Sequence, residues 1–183
     1  APPCPHARRC GGCRLQHASD ALVAGWKADL VRAALARHGL APGIAAVETS
    51  PAASRRRAAL SARRTKKGAI AGFHVKGSDE IVPVPGCRVL HPDLLAALPL
   101  AEALARLGAS RKGELTVAVT RTEAGLDVAA SGGKAADGPM RAALADIVHA
   151  HDLARLSWEG EVIAMARAPV LRMGRARVVP PPG

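Results

Sequence analysis

An α+β fold, an antiparallel sheet with packed helices, is predicted by three features of the sequence. Extended stretches outnumber helical ones, turn signals join neighbouring extended stretches into hairpins, and only three stretches carry helical spacing. The chain has 183 residues, 49% of them apolar, which supports one domain or one and a fraction. Much of that apolar share is Ala, and the aromatic residues are only Phe73, Trp26 and Trp158. Leu, Val and Ile must therefore build the core.

The first helix is expected over 21–38. Ser19 is placed to cap it, Leu22, Trp26, Leu30 and Val23, Val31, Leu35 recur at helical spacing, and Gly39 suits the position just past its end. Pro42-Gly43 breaks the chain, and Ile44 to Val47 is expected to form a short strand. A basic hairpin follows. One arm holds Arg55, Arg56, Arg57, Arg63 and Arg64, Thr65-Lys66-Lys67-Gly68 makes the turn, and Ala69 to His74 returns, with Lys76 just beyond. So many cations require a strand with one wet face. Ile81 to Val84 is a third strand, and Pro83 gives it an edge position because proline has no N–H to donate.

His91-Pro92-Asp93 opens a second helix, which Pro99 is expected to kink or split. Glu114 to Thr120 and Leu126 to Ala130 form a hairpin about Glu123-Ala124-Gly125. Ser131-Gly132-Gly133 reads as a loop rather than a phosphate cradle, since the residues after it lack the Lys-Ser/Thr such a loop requires. Asp137-Gly138-Pro139 starts a third helix reaching about His151. Leu153 to Trp158, Val162 to Arg167 and Val170 to Met173 are further strands.

The chemistry is concentrated at the start. Cys4, Cys10 and Cys13 fall within ten residues, and the fourth cysteine, Cys87, stands just after the third strand, where the sheet can deliver it to the other three. Thiolates are soft ligands for iron–sulfur clusters and zinc. Gly11 and Gly12 let the loop turn its N–H groups toward sulfur, and Arg8, Arg9 and Arg14 offset thiolate charge. A four-Cys zinc site usually shows two close pairs, and here only Cys10 and Cys13 make one. A disulfide needs an oxidising compartment, and no signal peptide is apparent. Iron–sulfur is the preferred reading, with zinc and disulfide as the alternatives. His17 reads as a local hydrogen-bonder, because four Cys already complete a ligand set.

The formal net charge is +11. Residues 1–48 hold six basic and three acidic side chains, residues 49–78 eight and none, and residues 79–183 twelve of each. The excess therefore lies in the first 78 residues, a footprint for a polyanion. A solvated basic face without a partner is the plain alternative. Neither a run of transmembrane length nor a signal-peptide core is seen, so a cytoplasmic location and no membrane partner are expected. The chain lacks an initiator Met and ends in Pro180-Pro181-Pro182-Gly183, which reads as a piece of something longer.

Taken together, these residues resemble the iron–sulfur members of the RNA uracil-5-methyltransferase family. The match runs through Cys4-x5-Cys10-Gly11-Gly12-Cys13, Gln16-His17, Arg55-Arg56-Arg57-Ala58 and Gly72-Phe73. It continues through Ile81-Val82, Val84, Cys87 and Val89-Leu90. The resemblance implies a [4Fe-4S] cluster on Cys4, Cys10, Cys13 and Cys87. It also implies S-adenosylmethionine-dependent formation of 5-methyluridine in RNA, ribosomal before transfer RNA; the basic hairpin is then expected to meet RNA phosphates through Arg55, Arg56, Arg57, Arg63, Arg64, Lys66, Lys67 and Lys76.

On this reading 1–18 is the iron–sulfur clip and 19–40 a helix packing on a methyltransferase domain missing from the chain. Residues 41–179 form the central RNA-binding domain, and 180–183 begin the linker to the missing domain. No catalytic residue and no S-adenosylmethionine site are expected here, so this chain alone should be inactive. Two other classes stay open, a zinc-stabilised nucleic-acid-binding module and a ferredoxin-like electron carrier.

Overall fold

In a computed structural model, which describes residues 1–182, three helices and nine strands form around one main sheet. Helix α1 spans Asp20–Ala36. The Ser19 hydroxyl accepts from the Leu22 N–H at its start. At its end Gly39 takes φ +70° and the Leu40 N–H returns to the Leu35 carbonyl, closing the last turn as the glycine predicts.

Strands β1 (Arg57–Thr65) and β2 (Gly68–His74) form the basic hairpin, and the short β3 (Ile81–Val82) lies beyond β2. Helix α2 (Pro92–Gly108) precedes β4 (Glu114–Thr122) and β5 (Gly125–Ser131). Helix α3 (Gly138–Ala150) then leads to β6 (Arg155–Trp158) and β7 (Glu161–Met165). A separate hairpin, β8 (Leu171–Met173) and β9 (Ala176–Val178), follows.

The main sheet has the order β3-β2-β1-β4-β5-β6-β7. Every pair in it is antiparallel except β5–β6, where α3 makes the crossover. The predicted α+β class holds, and β3 is at an edge as Pro83 requires.

Alternation along β1 and β4 sends Leu60, Ala62, Leu115, Val117 and Val119 to one buried face. Leu94, Leu100 and Leu104 of α2 pack in the same core. Trp158 is 2% exposed and donates its indole N–H to the Lys134 carbonyl, 2.8 Å. A Cβ on Gly133 would stand 2.1 Å from this ring and one on Gly108 2.3 Å. The Gly133 loop is thus small to admit a tryptophan, a packing role for a stretch already read as no phosphate cradle.

Two expectations are corrected. Residues 44–47 form no strand, since nothing pairs with them and Pro42 and Pro51 bracket the segment. Pro99 does not split α2, which runs unbroken through it. It is exposed, so the carbonyl it leaves without an N–H partner can face water. Strand β9 was not read from the sequence at all. Its three residues are exposed and carry no alternating pattern, and only pairing with β8 defines it.

Candidate metal centre and basic face

The N-terminal loop is held against the sheet by backbone bonds. The Gly11 N–H donates to the His74 carbonyl at 2.9 Å, the Lys76 N–H to the Arg9 carbonyl at 3.0 Å, and Cys10 bridges Val75. The loop that carries Cys87 is tied to the same place, because the Gly86 N–H donates to His6 Nε2 at 3.3 Å. That bond needs an unprotonated Nε2.

These ties bring Cys4, Cys10, Cys13 and Cys87 to the wall of one cavity of about 50 Å³, shared with His6, Gln16, Arg55 and Phe73. All four are free thiols. Cys4 is buried and the others half-buried. Burial pushes the Cys10 thiol above its ordinary value, the Gly12 N–H opposes this, and Cys13, Cys87 and Cys4 push upward again.

The chamber fits a sulfur-ligated centre on two counts. Its donor set is four soft ligands. Gly12 leaves open the space where a Cβ would meet Cys10 Sγ at 3.4 Å, and its N–H already points at that sulfur. Apart from these, Gln16 Oε1 is buried without a partner. Among the described residues no three His, Cys, Asp or Glu side chains are gathered closely enough to hold a metal ion. A tetrahedral zinc would draw its sulfurs to within about 3.8 Å of one another. A polynuclear centre spreads them, because each thiolate binds a different iron.

The cations anticipated as RNA ligands do not form one patch. Arg55 lies before β1, its backbone paired with Val89 and His91, and its side chain lines the cysteine chamber. Arg57 sits on the helix-free face of the sheet, in a cavity of about 120 Å³ with Thr120, Asp127, Pro180 and Pro181. Lys76 shares a groove with Arg14, Gly11 and Gly12.

Arg64, Lys66 and Lys67 are at the hairpin tip, about 23 Å or more along β1 from Arg57 at ~3.3 Å per residue. All of these and Arg56 are exposed, and none reaches a carboxylate among the described residues. Arg63 differs. Its Nε stands 2.7 Å from Glu114 Oε2 and its Nη2 3.6 Å from Asp79. The Glu114 contact is close but misaligned for a hydrogen bond, so charge carries it.

Glu114 also meets His74 Nε2 at 2.9 Å. Burial works to raise its pKa, but the hydrogen bonds from His74 and Ser61 and the charges of His74 and Arg63 outweigh this and hold it below the usual carboxylate range.

Sequence reasoning overlooked Lys27 and Arg88, which line a groove of about 690 Å³ with Arg55 and Gln16 outside the chamber. The adjacency of Arg88 to Cys87 was the available signal. Ala53, beside this groove, holds φ +55°, and its N–H is bonded to the Arg88 carbonyl.

No protein-family model matches the chain. Along its whole length the chain is similar to proteins named RNA methyltransferases. It is 39% identical over 182 residues to an uncharacterized RNA methyltransferase of Brucella suis and 43% over 195 residues to one of Caulobacter vibrioides. All of this chain is covered in both cases, against 44% and 46% of the relatives. A shorter stretch of 116 residues, 61% of this chain, is 37% identical to 26% of the 23S rRNA (uracil(1939)-C(5))-methyltransferase RlmD of Pectobacterium atrosepticum. The chain thus spans less than half the length of these relatives.

Proposed function

We propose that this chain is the RNA-holding, cluster-bearing part of an S-adenosylmethionine-dependent RNA (uracil-5-)-methyltransferase that forms 5-methyluridine, in ribosomal RNA before transfer RNA. The observation that carries the reading is the chamber itself: four cysteines from two distant segments face one cavity, flanked by cations without carboxylate partners. The names of the relatives supply the RNA and methyl-transfer chemistry.

Cys4, Cys10, Cys13 and Cys87 would hold a [4Fe-4S] cluster. When bound, that group supplies a cross-link between the N-terminal loop and the end of the sheet. Arg55, Arg56, Arg57, Arg64, Lys66, Lys67 and Lys76 neutralise RNA phosphates, which positions the strand without reading its sequence. Arg63, engaged by Glu114, contributes less. With one Phe and no Tyr in the chain, base stacking is a minor part of binding.

No residue here is assigned to methyl transfer or to S-adenosylmethionine. Those steps belong to the part of the relatives this chain does not span. Helix α1 fits that division. Leu22 is 65% exposed, and Trp26, Leu30 and Val31 are about half exposed, an apolar face suited to a methyltransferase domain in the same protein.

The test is anaerobic purification with iron, sulfide and zinc assays. A brown protein with about four irons and four sulfides per chain is expected. A colourless protein with stoichiometric zinc overturns the cluster. Chelating the iron should also lower the melting temperature sharply.

A further inference from the structure

Gln16 is the unexplained wall of the chamber. It follows Cys13 closely, and the Ala18 N–H bond to the Leu15 carbonyl and the start of α1 fix its backbone. Its side chain lines the cysteine cavity, the groove of about 690 Å³ and a second outer pocket of about 630 Å³. It therefore stands between the cysteine chamber and the larger groove, which no cysteine lines, while Cys13 itself borders the outer pocket. Its Oε1 is fully buried and accepts no hydrogen bond, an unfavourable state for a polar group taken out of water.

A carboxamide has the same envelope in either orientation. Half a turn about its last bond exchanges the oxygen for an N–H₂. A chamber filled by thiolates and sulfides offers only acceptors, and against them the N–H₂ orientation is satisfied where the oxygen is not. The same loop already makes one such contact, the Gly12 N–H to Cys10 Sγ at 3.4 Å.

We infer that Gln16 is a positioning residue for the sulfur centre: it turns its amide N–H into the chamber, donates to a thiolate or sulfide, and shields that sulfur from water. This rests on the proposal that the chamber holds an iron–sulfur cluster. Hydrogen bonds to the sulfurs and exclusion of solvent both set the potential and lifetime of such centres.

The experiment compares wild type with Gln16→Met, which keeps the bulk and loses the donor, and Gln16→Glu, which keeps the shape and offers only acceptors. All are loaded anaerobically. Both variants should take up wild-type iron and sulfide, bleach in air ~10-fold faster, and reduce at a more negative potential, Gln16→Glu the more so. Variants matching wild type in lifetime and potential overturn the inference while leaving the cluster in place. A wild-type protein that takes up neither iron nor sulfide overturns both. Circular dichroism and melting of the iron-free proteins complete the comparison. A fold lost in iron-free Gln16→Met would assign Gln16 a packing role and also overturn it.

Discussion

The segment 49–78 and the chain after it treat their cations in opposite ways. Of eight cations in the first, only Arg63 reaches a carboxylate among the described residues. Of twelve in the second, seven do: Arg106, Arg121, Arg141, Arg155, Arg167, Arg172 and Arg177. The extreme case is Arg155, 5% exposed, which grips Asp127 at 2.8 and 2.7 Å and donates to the Pro180 carbonyl at 3.0 Å. One region spends its positive charge on its own fold and the other leaves it facing solvent. A surface evolved only for solubility would mix the signs, whereas a surface left unneutralised over a hairpin suits a polyanion.

The largest effect expected from breaking this contrast is at the paired end. Arg155→Met should cost about 3–5 kcal/mol, read by urea denaturation, because it strands a buried Asp127 carboxylate. The double variant Arg155→Met, Asp127→Leu should recover most of that loss. RNA affinity of the folded protein should not change in either.

Gly133→Ala comes next, at about 1–3 kcal/mol, since its Cβ must displace the Trp158 ring. It too should leave RNA binding intact.

At the unpaired end the signs reverse. Replacing Arg55, Arg56 and Arg57 together by Ala should leave the sheet intact by circular dichroism. Affinity for an RNA oligonucleotide should fall about tenfold, ~1.4 kcal/mol, and the slope of log affinity against log salt should flatten by about 2. Fluorescence anisotropy at several salt concentrations reads both. Unchanged affinity and slope would show these cations to be idle.

The smallest effect concerns Glu114, which bridges the two regions. Its folded pKa is depressed, so its contribution is fully present above the ordinary carboxylate pKa of 4.5 and is lost as pH falls through the lower folded value. Glu114→Gln should therefore cost less than about 1 kcal/mol at neutral pH. The difference from wild type should vanish in strongly acid solution, as melting curves across that range would show.

Much of the architecture was legible because its signals are local. Ser19, Gly39, Gly68 and Asp137 punctuate the chain where their own backbone chemistry demands, and the alternation in β1 and β4 marks a half-buried sheet. Pro99 did not split its helix because the cost of a proline there depends on whether water can reach the freed carbonyl, and exposure is not a local property. Residues 44–47 misled because a strand exists only with a partner. The Gln16 orphan was beyond reach for the same reason: a buried acceptor is defined by what surrounds it.

By itself the sequence determined which residue types are present, their spacing, the hairpin, and the imbalance of charge in the first 78 residues. Only the tertiary structure decided that Arg63 is neutralised while Arg57 is not. It alone separated Arg55 from the hairpin tip and brought residue 87 to the same cavity wall as residues 4, 10 and 13. Dihedral preferences and turn chemistry act over a few residues. Neutralisation, burial and convergence depend on strand register and on contacts between residues tens of positions apart, which come into being only when the chain closes on itself.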